Sequence, residues 1–186
     1  MTKGKGMPKM RGLEHVSITV PDLDEASNFF EDVLGCEVLF PVGGFSEETG
    51  MNMERQINVD PKARCVDFRY LRCGNGTNIE LFQYEAPDQK TEWPRNSDVS
   101  GHHLAFYVDD IHAAIKHLKE NGVRVLGEPS VVTSGPTAGL SWIYFLAPWG
   151  MNLEILSCEN GIAHDKSGKT VLWAPKTPGE RLINTD

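Results

Sequence analysis

The sequence lacks several features that mark particular classes of protein. No apolar run approaches the ~20 residues that a membrane-spanning helix needs, and the basic segment 1–11 has no apolar stretch of the kind found in a secretory signal. Lys and Arg number 18 against 26 Asp and Glu, and the net charge of -8 argues against nucleic acid or an anionic membrane surface as a partner. We therefore expect a cytoplasmic protein that binds small molecules or other proteins.

Cysteine is also scarce. The four cysteines, at positions 36, 65, 73 and 158, form no C-x-x-C pair, so nothing indicates a zinc knuckle or a redox couple. Cysteines of cytoplasmic proteins are usually reduced, and we expect four reduced thiols here. With 40% apolar residues, a chain of 186 residues is nevertheless long enough to bury a proper core.

An internal repeat is present. The segment from His15 to Leu23 matches the segment from His103 to Ile111 at a constant offset, and Asn-Ile-Glu-Leu at 78–81 matches Asn-Leu-Glu-Ile at 152–155. Repeats of this kind indicate a duplicated structural unit. We therefore predict an α+β fold made of two βαβββ modules.

Each module is predicted to open with a strand of alternating pattern and to continue into a capped helix. Asp22 and Asp110 are suited to begin the two helices, and Gly35 and Gly122 are suited to end them. The predicted strands are 13–20, 37–40, 65–72, 78–84, 102–108, 123–126, 141–146 and 152–157.

The repeat also sets the predicted domain boundaries. We predict a single domain over 12–158, which consists of module one at 12–86, a linker at 87–99 and module two at 100–158. A C-terminal tail at 159–186 follows. Module one is longer than module two, and the surplus falls in the glycine-containing stretch 43–62. We expect that stretch to be a long loop or a short extra element that forms part of a pocket.

Two imidazoles and two carboxylates occupy repeated strand positions. Side-chain alternation places His15, Glu80, His103 and Glu154 on the strand face opposite the apolar residues that should meet the helices. Such groups collected at one surface require a compensating cation. Their donor atoms suit one divalent metal ion, namely Zn, Ni, Co, Fe or Mn. His102 is an alternative to its neighbour, although repeat and alternation both favour His103.

Three strings resemble the vicinal oxygen chelate superfamily, which includes glyoxalase I, methylmalonyl-CoA epimerase, extradiol dioxygenases and bleomycin-resistance proteins. They are LEHVSITVPDLD from Leu13, GHHLAFYVDDI from Gly101 and PWGMNLEIL from Pro148. The resemblance covers residues 12 to about 158. It implies a half-open barrel around a metal site, with His15, Glu80, His103 and Glu154 at the four ligand positions.

The resemblance further implies an enzyme of the glyoxalase I or methylmalonyl-CoA epimerase type. Such a lyase or isomerase transfers a proton next to a carbonyl through a metal-chelated enediolate, and its substrate is a small molecule with vicinal oxygens. Glu154 or Glu80 is the expected base, and Tyr84 and Tyr107, on the same strand faces, could hydrogen-bond the substrate. Half-open barrels of this kind commonly pair, so a homodimer is expected.

Two alternative functions remain open. The first is an Fe(II) extradiol ring-cleaving dioxygenase, although such enzymes typically use two His and one Glu, and a fourth ligand at Glu80 counts against that chemistry. The second is a metal-free protein that binds a small-molecule drug in a pocket lined by Trp93, Trp142 and Trp149. Bleomycin-resistance proteins lack the ligand residues, whereas this chain retains all four.

Overall fold

The computed structural model describes residues 7–166 and 171–175, which form two modules built in the same order. The first module contains β1 (His15–Thr19), α1 (Leu23–Asn28), β2 (Glu37–Pro41), β3 (Phe45–Ser46), α2 (Met53–Ile57), β4 (Arg64–Arg72) and β5 (Asn78–Glu85). The second contains β6 (Leu104–Tyr107), α3 (Ile111–Glu120), β7 (Arg124–Val131), β8 (Ser141–Leu146) and β9 (Asn152–Ser157). The order of strand, helix and three strands is therefore as predicted.

Each module forms its own sheet, and the two sheets have the same topology. Sheet A has the order β1-β5-β4-β2, with the short β3 paired to β4, and sheet B has the order β6-β9-β8-β7. In both sheets the first and last strands of the module run parallel, and the remaining pairs are antiparallel. The duplication seen in the sequence is thus also a duplication of strand pairing.

The helices begin and end where their capping residues predicted. The Asp22 carboxylate accepts a hydrogen bond from the Glu25 backbone N–H at 2.8 Å, and Asp110 accepts from the N–H groups of His112 and Ala113 at 2.9 and 3.0 Å. These bonds satisfy backbone donors that have no partner within the helix. A π-helical turn over Phe29–Val33 extends α1.

The insertion in module one folds into short elements. It contains β3, a single 3-10 turn at Glu47–Thr49 and α2. The Ser46 side chain accepts from the N–H of Thr49, whose hydroxyl lies 2.9 Å from the Ser46 nitrogen, so the turn is closed by a reciprocal pair of bonds. The side chain of Met53 in α2 is fully buried, which anchors the insertion.

One continuous core joins the two modules. Phe30, which is 0% exposed, has its ring 6.4 Å from that of Phe106 and 6.2 Å from that of Trp149, both in the second module. The imidazole Nε2 of His117 on α3 lies 2.9 Å from the carbonyl oxygen of Val33. The core includes buried residues of both sheets, among them Ile18, Leu71, Ile79, Leu81, Ile143, Phe145, Leu153 and Ile155.

Two of the four cysteines are joined, contrary to the expectation of four reduced thiols. Cys36 and Cys73 form a disulfide with their Cα atoms 4.3 Å apart, while Cys65 and Cys158 are free thiols. The two bonded residues are 37 positions apart in sequence. They become neighbours only because the start of β2 pairs with the end of β4, which residue spacing alone does not reveal.

Part of the predicted tail lies within the described residues. It includes a 3-10 turn at Ala163–Lys166, and the side chain of Asn75, in the turn between β4 and β5, donates a hydrogen bond to the carbonyl oxygen of Pro175 at 3.2 Å. The remainder of the predicted tail, 167–170 and 176–186, lies outside the described residues. Within the described ranges, no helix is long and apolar enough to cross a membrane.

Candidate active site

The first pair of candidate ligands comes together across β1 and β5. These strands run parallel with Ser17 opposite Glu80, so His15, two residues before Ser17, lies on the same face as the carboxylate. The His15 Nε2 is 3.3 Å from the Glu80 Oε2. Glu80 is only 7% exposed although it carries a carboxylate. His15 and Glu80 therefore meet on the strand face that side-chain alternation predicted.

A second carboxylate contacts the other side of the same imidazole. The Glu14 Oε2 lies 2.6 Å from the His15 Nδ1, and the Asn78 side-chain amide donates to the Glu14 Oε1 at 2.6 Å. The hydrogen bond to Glu14 raises the pKa of His15, and the same bond lowers the pKa of Glu14. The imidazole is thus held between two acidic side chains.

The second pair repeats the arrangement across β6 and β9. The His103 Nε2 lies 3.0 Å from the Glu154 Oε2, and Glu154 is 9% exposed. The alternative residue His102 faces elsewhere, because its Nδ1 lies 2.9 Å from the Ser100 carbonyl oxygen and its ring lies 5.3 Å from that of Trp93. It is therefore His103 that meets the buried carboxylate, as repeat and alternation predicted.

Sequence reasoning missed a tyrosine beside each carboxylate. Tyr70 is the register partner of Glu80 in the β4–β5 pair, and Tyr144 is the register partner of Glu154 in the β8–β9 pair. The Tyr144 hydroxyl also lies 3.4 Å from the Nε2 of His103. Each tyrosine precedes its glutamate by ten residues, and this equal spacing within the repeat is a signal that could have identified them.

Both phenols remain protonated donors at neutral pH. Hydrogen bonding to Glu80 raises the pKa of Tyr70 above its ordinary value. Burial is the first cause of the raised pKa of Tyr144, and the charge of Glu154 is the second. Each carboxylate is therefore flanked by an imidazole and a protonated phenol. This grouping is able to exchange a proton with a bound molecule and to hydrogen-bond its oxygens.

The donor atoms of the two pairs suit a divalent metal ion. In each pair an imidazole nitrogen lies beside a carboxylate oxygen, at 3.3 Å in the first pair and 3.0 Å in the second, and a buried carboxylate is stabilised by a cation. Across residues 7–166 and 171–175, however, no group of three or more His, Cys, Asp or Glu side chains lies close enough to hold a metal ion. Within one chain the structure forms two half-sites, the first pair and the second pair, and does not unite them.

Aromatic rings cover the ligand face of sheet A next to the first pair. The Phe82 ring lies parallel to that of Phe68, with centroids 4.3 Å apart, and nearly parallel to that of Tyr84 at 5.6 Å. Phe45, from the insertion, packs edge-on against all three. Burial raises the pKa of Tyr84 to about 12, so this phenol is a packed, neutral group.

A cavity of about 310 Å³ lies on the ligand face of sheet B. Its lining includes Ala105, Tyr107 and Leu156 from β6 and β9, and Leu172 and Trp173 from the tail. Alternation places the three strand residues on the same face as the second pair, a few ångströms further along the strands. The tail thus walls a largely apolar cavity that adjoins the second half-site.

Comparison with known proteins identifies the family. The sequence model of the Glyoxalase/Bleomycin resistance protein/Dioxygenase superfamily matches residues 14–144, a range that contains His15, Glu80 and His103. The chain belongs to this superfamily. The resemblance inferred from the three sequence strings is therefore confirmed.

This chain is similar to known epimerases. It is 43% identical to a 2-epi-5-epi-valiolone epimerase from an Actinomyces species over 174 residues, which is 93% of each chain. It is 31% identical to an ethylmalonyl-CoA/methylmalonyl-CoA epimerase from Cereibacter sphaeroides over 149 residues, 79% of this chain and 96% of that protein. These relatives are enzymes, and the prediction that the superfamily member is an enzyme is confirmed.

A solved structure supports the architecture. The glyoxalase family protein from Bacillus cereus matches with a TM-score of 0.62 and 21% identity, covering 84% of this chain and 97% of that one. At this level of identity the match concerns the fold alone. The predicted α+β class with two βαβββ modules is confirmed for this protein.

Proposed function

We propose that this protein is an epimerase that inverts a carbon next to a carbonyl group in a small molecule with neighbouring oxygens. The observation that carries the proposal is the duplicated arrangement of a buried Glu between a His and a Tyr. Inversion requires that a proton leave one face of a carbon and return to the opposite face. Two related half-sites provide one carboxylate for each face, Glu80 and Glu154.

The remaining residues of each half-site assist these carboxylates. The Tyr70 and Tyr144 phenols, kept protonated beside the carboxylates, donate hydrogen bonds to substrate oxygens on which negative charge develops. The cavity beside the second pair accommodates the carbon skeleton, with Trp173 as part of its wall. His15, Glu80, His103 and Glu154 would hold one divalent metal ion. Such an ion, when bound, polarises the carbonyl and stabilises the charge formed on proton removal.

Proton exchange with solvent tests the proposal directly. In D2O, the metal-loaded protein is expected to replace the proton at the inverted carbon by deuterium while the second epimer accumulates, which proton NMR detects. The first substrate to use is 2-epi-5-epi-valiolone, on which the Actinomyces relative acts, and methylmalonyl-CoA is the second. A Glu80→Gln/Glu154→Gln double variant is the control. The absence of both exchange and inversion with both compounds would contradict the proposal. Oxygen consumption with a catechol would favour a dioxygenase instead.

We further propose a homodimer in which each metal site takes one pair from each subunit. The helix-facing residues of both sheets belong to one core, and strand alternation places the two pairs on the faces turned away from it. This arrangement explains how a chain can carry four suitable ligands without uniting them. Light scattering should then give twice the mass of the 20.7 kDa chain.

Mixing two inactive variants separates shared sites from sites within one chain. His15→Ala and His103→Ala each disable every site, but a dimer of one with the other regains one intact site if the pairs come from different subunits. After unfolding and refolding together, the mixture should recover about a quarter of wild-type activity. Each variant refolded alone is the control. A mixture that stays inactive would contradict the shared site.

A cytoplasmic location remains a prediction from the sequence. In that compartment the Cys36–Cys73 disulfide would be subject to reduction by cellular thiols. The disulfide lies at the junction of β2 and β4, away from Glu80, which pairs further along β4.

A further inference from the structure

We propose that Glu14 is a positioning residue that fixes the orientation of His15 and the tautomer of its neutral ring, so that the Nε2, which lies beside Glu80, would be the nitrogen that holds a metal ion. The role of Glu14 in catalysis rests on the proposed function. The orientation of His15 by Glu14 rests on hydrogen-bond geometry within one chain. No feature of the sequence singled out Glu14, which precedes the strand and is largely exposed.

The contact between Glu14 and His15 determines which imidazole nitrogen carries the proton. An ionised carboxylate can only accept hydrogen bonds, so the Glu14 Oε2 at 2.6 Å requires a hydrogen on the Nδ1 of His15. In the neutral ring the Nε2 is then left with its lone pair. That nitrogen lies 3.3 Å from the Glu80 Oε2. Because a carboxylate oxygen only accepts, this contact is stabilised by a proton on the Nε2 in the charged ring, or by a cation that the neutral Nε2 and Glu80 would bind together. Carboxylates that hold metal-binding histidines in this way raise metal affinity.

The Glu14 carboxylate is itself held in place. Its second oxygen, Oε1, accepts a hydrogen bond from the side-chain amide of Asn78 at 2.6 Å, and the Arg72 guanidinium donates to the Asn78 Oδ1 at 3.3 Å. The Thr77 hydroxyl donates to the Glu14 carbonyl oxygen at 2.6 Å. Asn78 is the register partner of His15, so the start of β5 holds Glu14, the residue just before β1, against the imidazole.

The second half-site has a different neighbour at the corresponding position. His102 precedes His103, and it contacts the Ser100 carbonyl oxygen and the Trp93 ring. The two half-sites are therefore unequal, although the fold that carries them is duplicated. We expect loss of the Glu14 carboxylate to affect His15 and to leave His103 unchanged.

The test compares Glu14→Ala and Glu14→Gln with the wild-type full chain. Long-range proton–nitrogen NMR on protein with 15N-labelled histidine reads the tautomer of each ring without metal or substrate. In the wild type, at a pH high enough for the ring to be neutral, His15 should carry its hydrogen on Nδ1. Glu14→Ala should shift His15 towards the other tautomer while the His103 signals stay in place. Glu14→Gln, which keeps an acceptor oxygen, should lie between the two.

Metal affinity gives the second readout. Titration of the apo-protein with MnCl2 is expected to show a Kd about 10–100-fold higher in Glu14→Ala than in the wild type. Glu48→Gln is the matched control, because it alters an exposed carboxylate in the insertion. Circular dichroism spectra identical to that of the wild type would establish that each variant is folded.

The outcomes distinguish the two proposals. An unchanged His15 tautomer in Glu14→Ala would overturn the positioning role of Glu14 even if the wild type epimerises its substrate. Where the wild type binds Mn²⁺, an unchanged affinity in Glu14→Ala would overturn it as well. If instead the tautomer shifts as expected but the wild type binds no Mn²⁺ and exchanges no proton, the proposed function fails while the structural role of Glu14 stands.

Discussion

Replacing Glu154 by Gln is expected to lower the rate of epimerisation by about a thousandfold. The amide has nearly the size of the carboxylate, so packing at this buried position is preserved, but it cannot accept the substrate proton. Steady-state kinetics with the substrate identified by deuterium exchange gives the ratio of kcat values. Glu128→Gln is the matched control, since it removes an exposed carboxylate from the same sheet.

The same variants test whether one carboxylate serves each face of the carbon. If Glu80 and Glu154 act on opposite faces, Glu154→Gln should still exchange the proton of one epimer with D2O, without inversion. Glu80→Gln should do the same with the other epimer. Equal loss of exchange for both epimers in each variant would indicate a single base. A Glu154→Gln protein with full activity would remove this residue from the mechanism.

Replacing Phe30 by Ala should lower the free energy of unfolding by about 3–5 kcal/mol. The ring is 0% exposed and contacts aromatic rings of the second module, so truncation opens a cavity at the junction of the modules. Urea denaturation followed by circular dichroism measures the change. Phe40→Ala, at a position 50% exposed, is the control and should cost less than about 1 kcal/mol.

The shape of the unfolding curve carries further information. Because one core joins the modules, the wild type should unfold in a single transition. If Phe30→Ala also unfolds in one step at lower urea, the ring stabilises the whole protein. Two transitions in the wild type would contradict the shared core and indicate modules that fold independently.

Local patterns sufficed to predict much of the fold and the His–Glu pair within each half-site. Asp22 and Asp110 cap helices because short acidic side chains reach backbone N–H groups, which spacing to the next apolar residues reveals. Alternation along single strands placed His15 with Glu80 and His103 with Glu154 on shared faces. The assignment of all four residues to one metal ion stays a prediction.

Features that depend on the pairing of distant segments were not predicted. The Cys36–Cys73 bond requires the register of β2 against β4, and the positions of Tyr70 and Tyr144 require the register of the hairpins. Reasoning along one strand drew attention to Tyr84 instead, which packs among aromatic rings. The separation of the two pairs follows from how whole modules pack, and strand alternation contains no information about it.

Equal hairpins have a consequence for how this sequence can vary. In each module the phenol and the carboxylate face each other because connections of the same length, 73–77 and 147–151, join their strands. If one extra residue in either connection shifted the register of the strand pairing by one position, the following glutamate would turn to the helix side of the sheet. Natural variants should therefore differ in which amino acids occupy these two turns, while the number of residues in them is conserved.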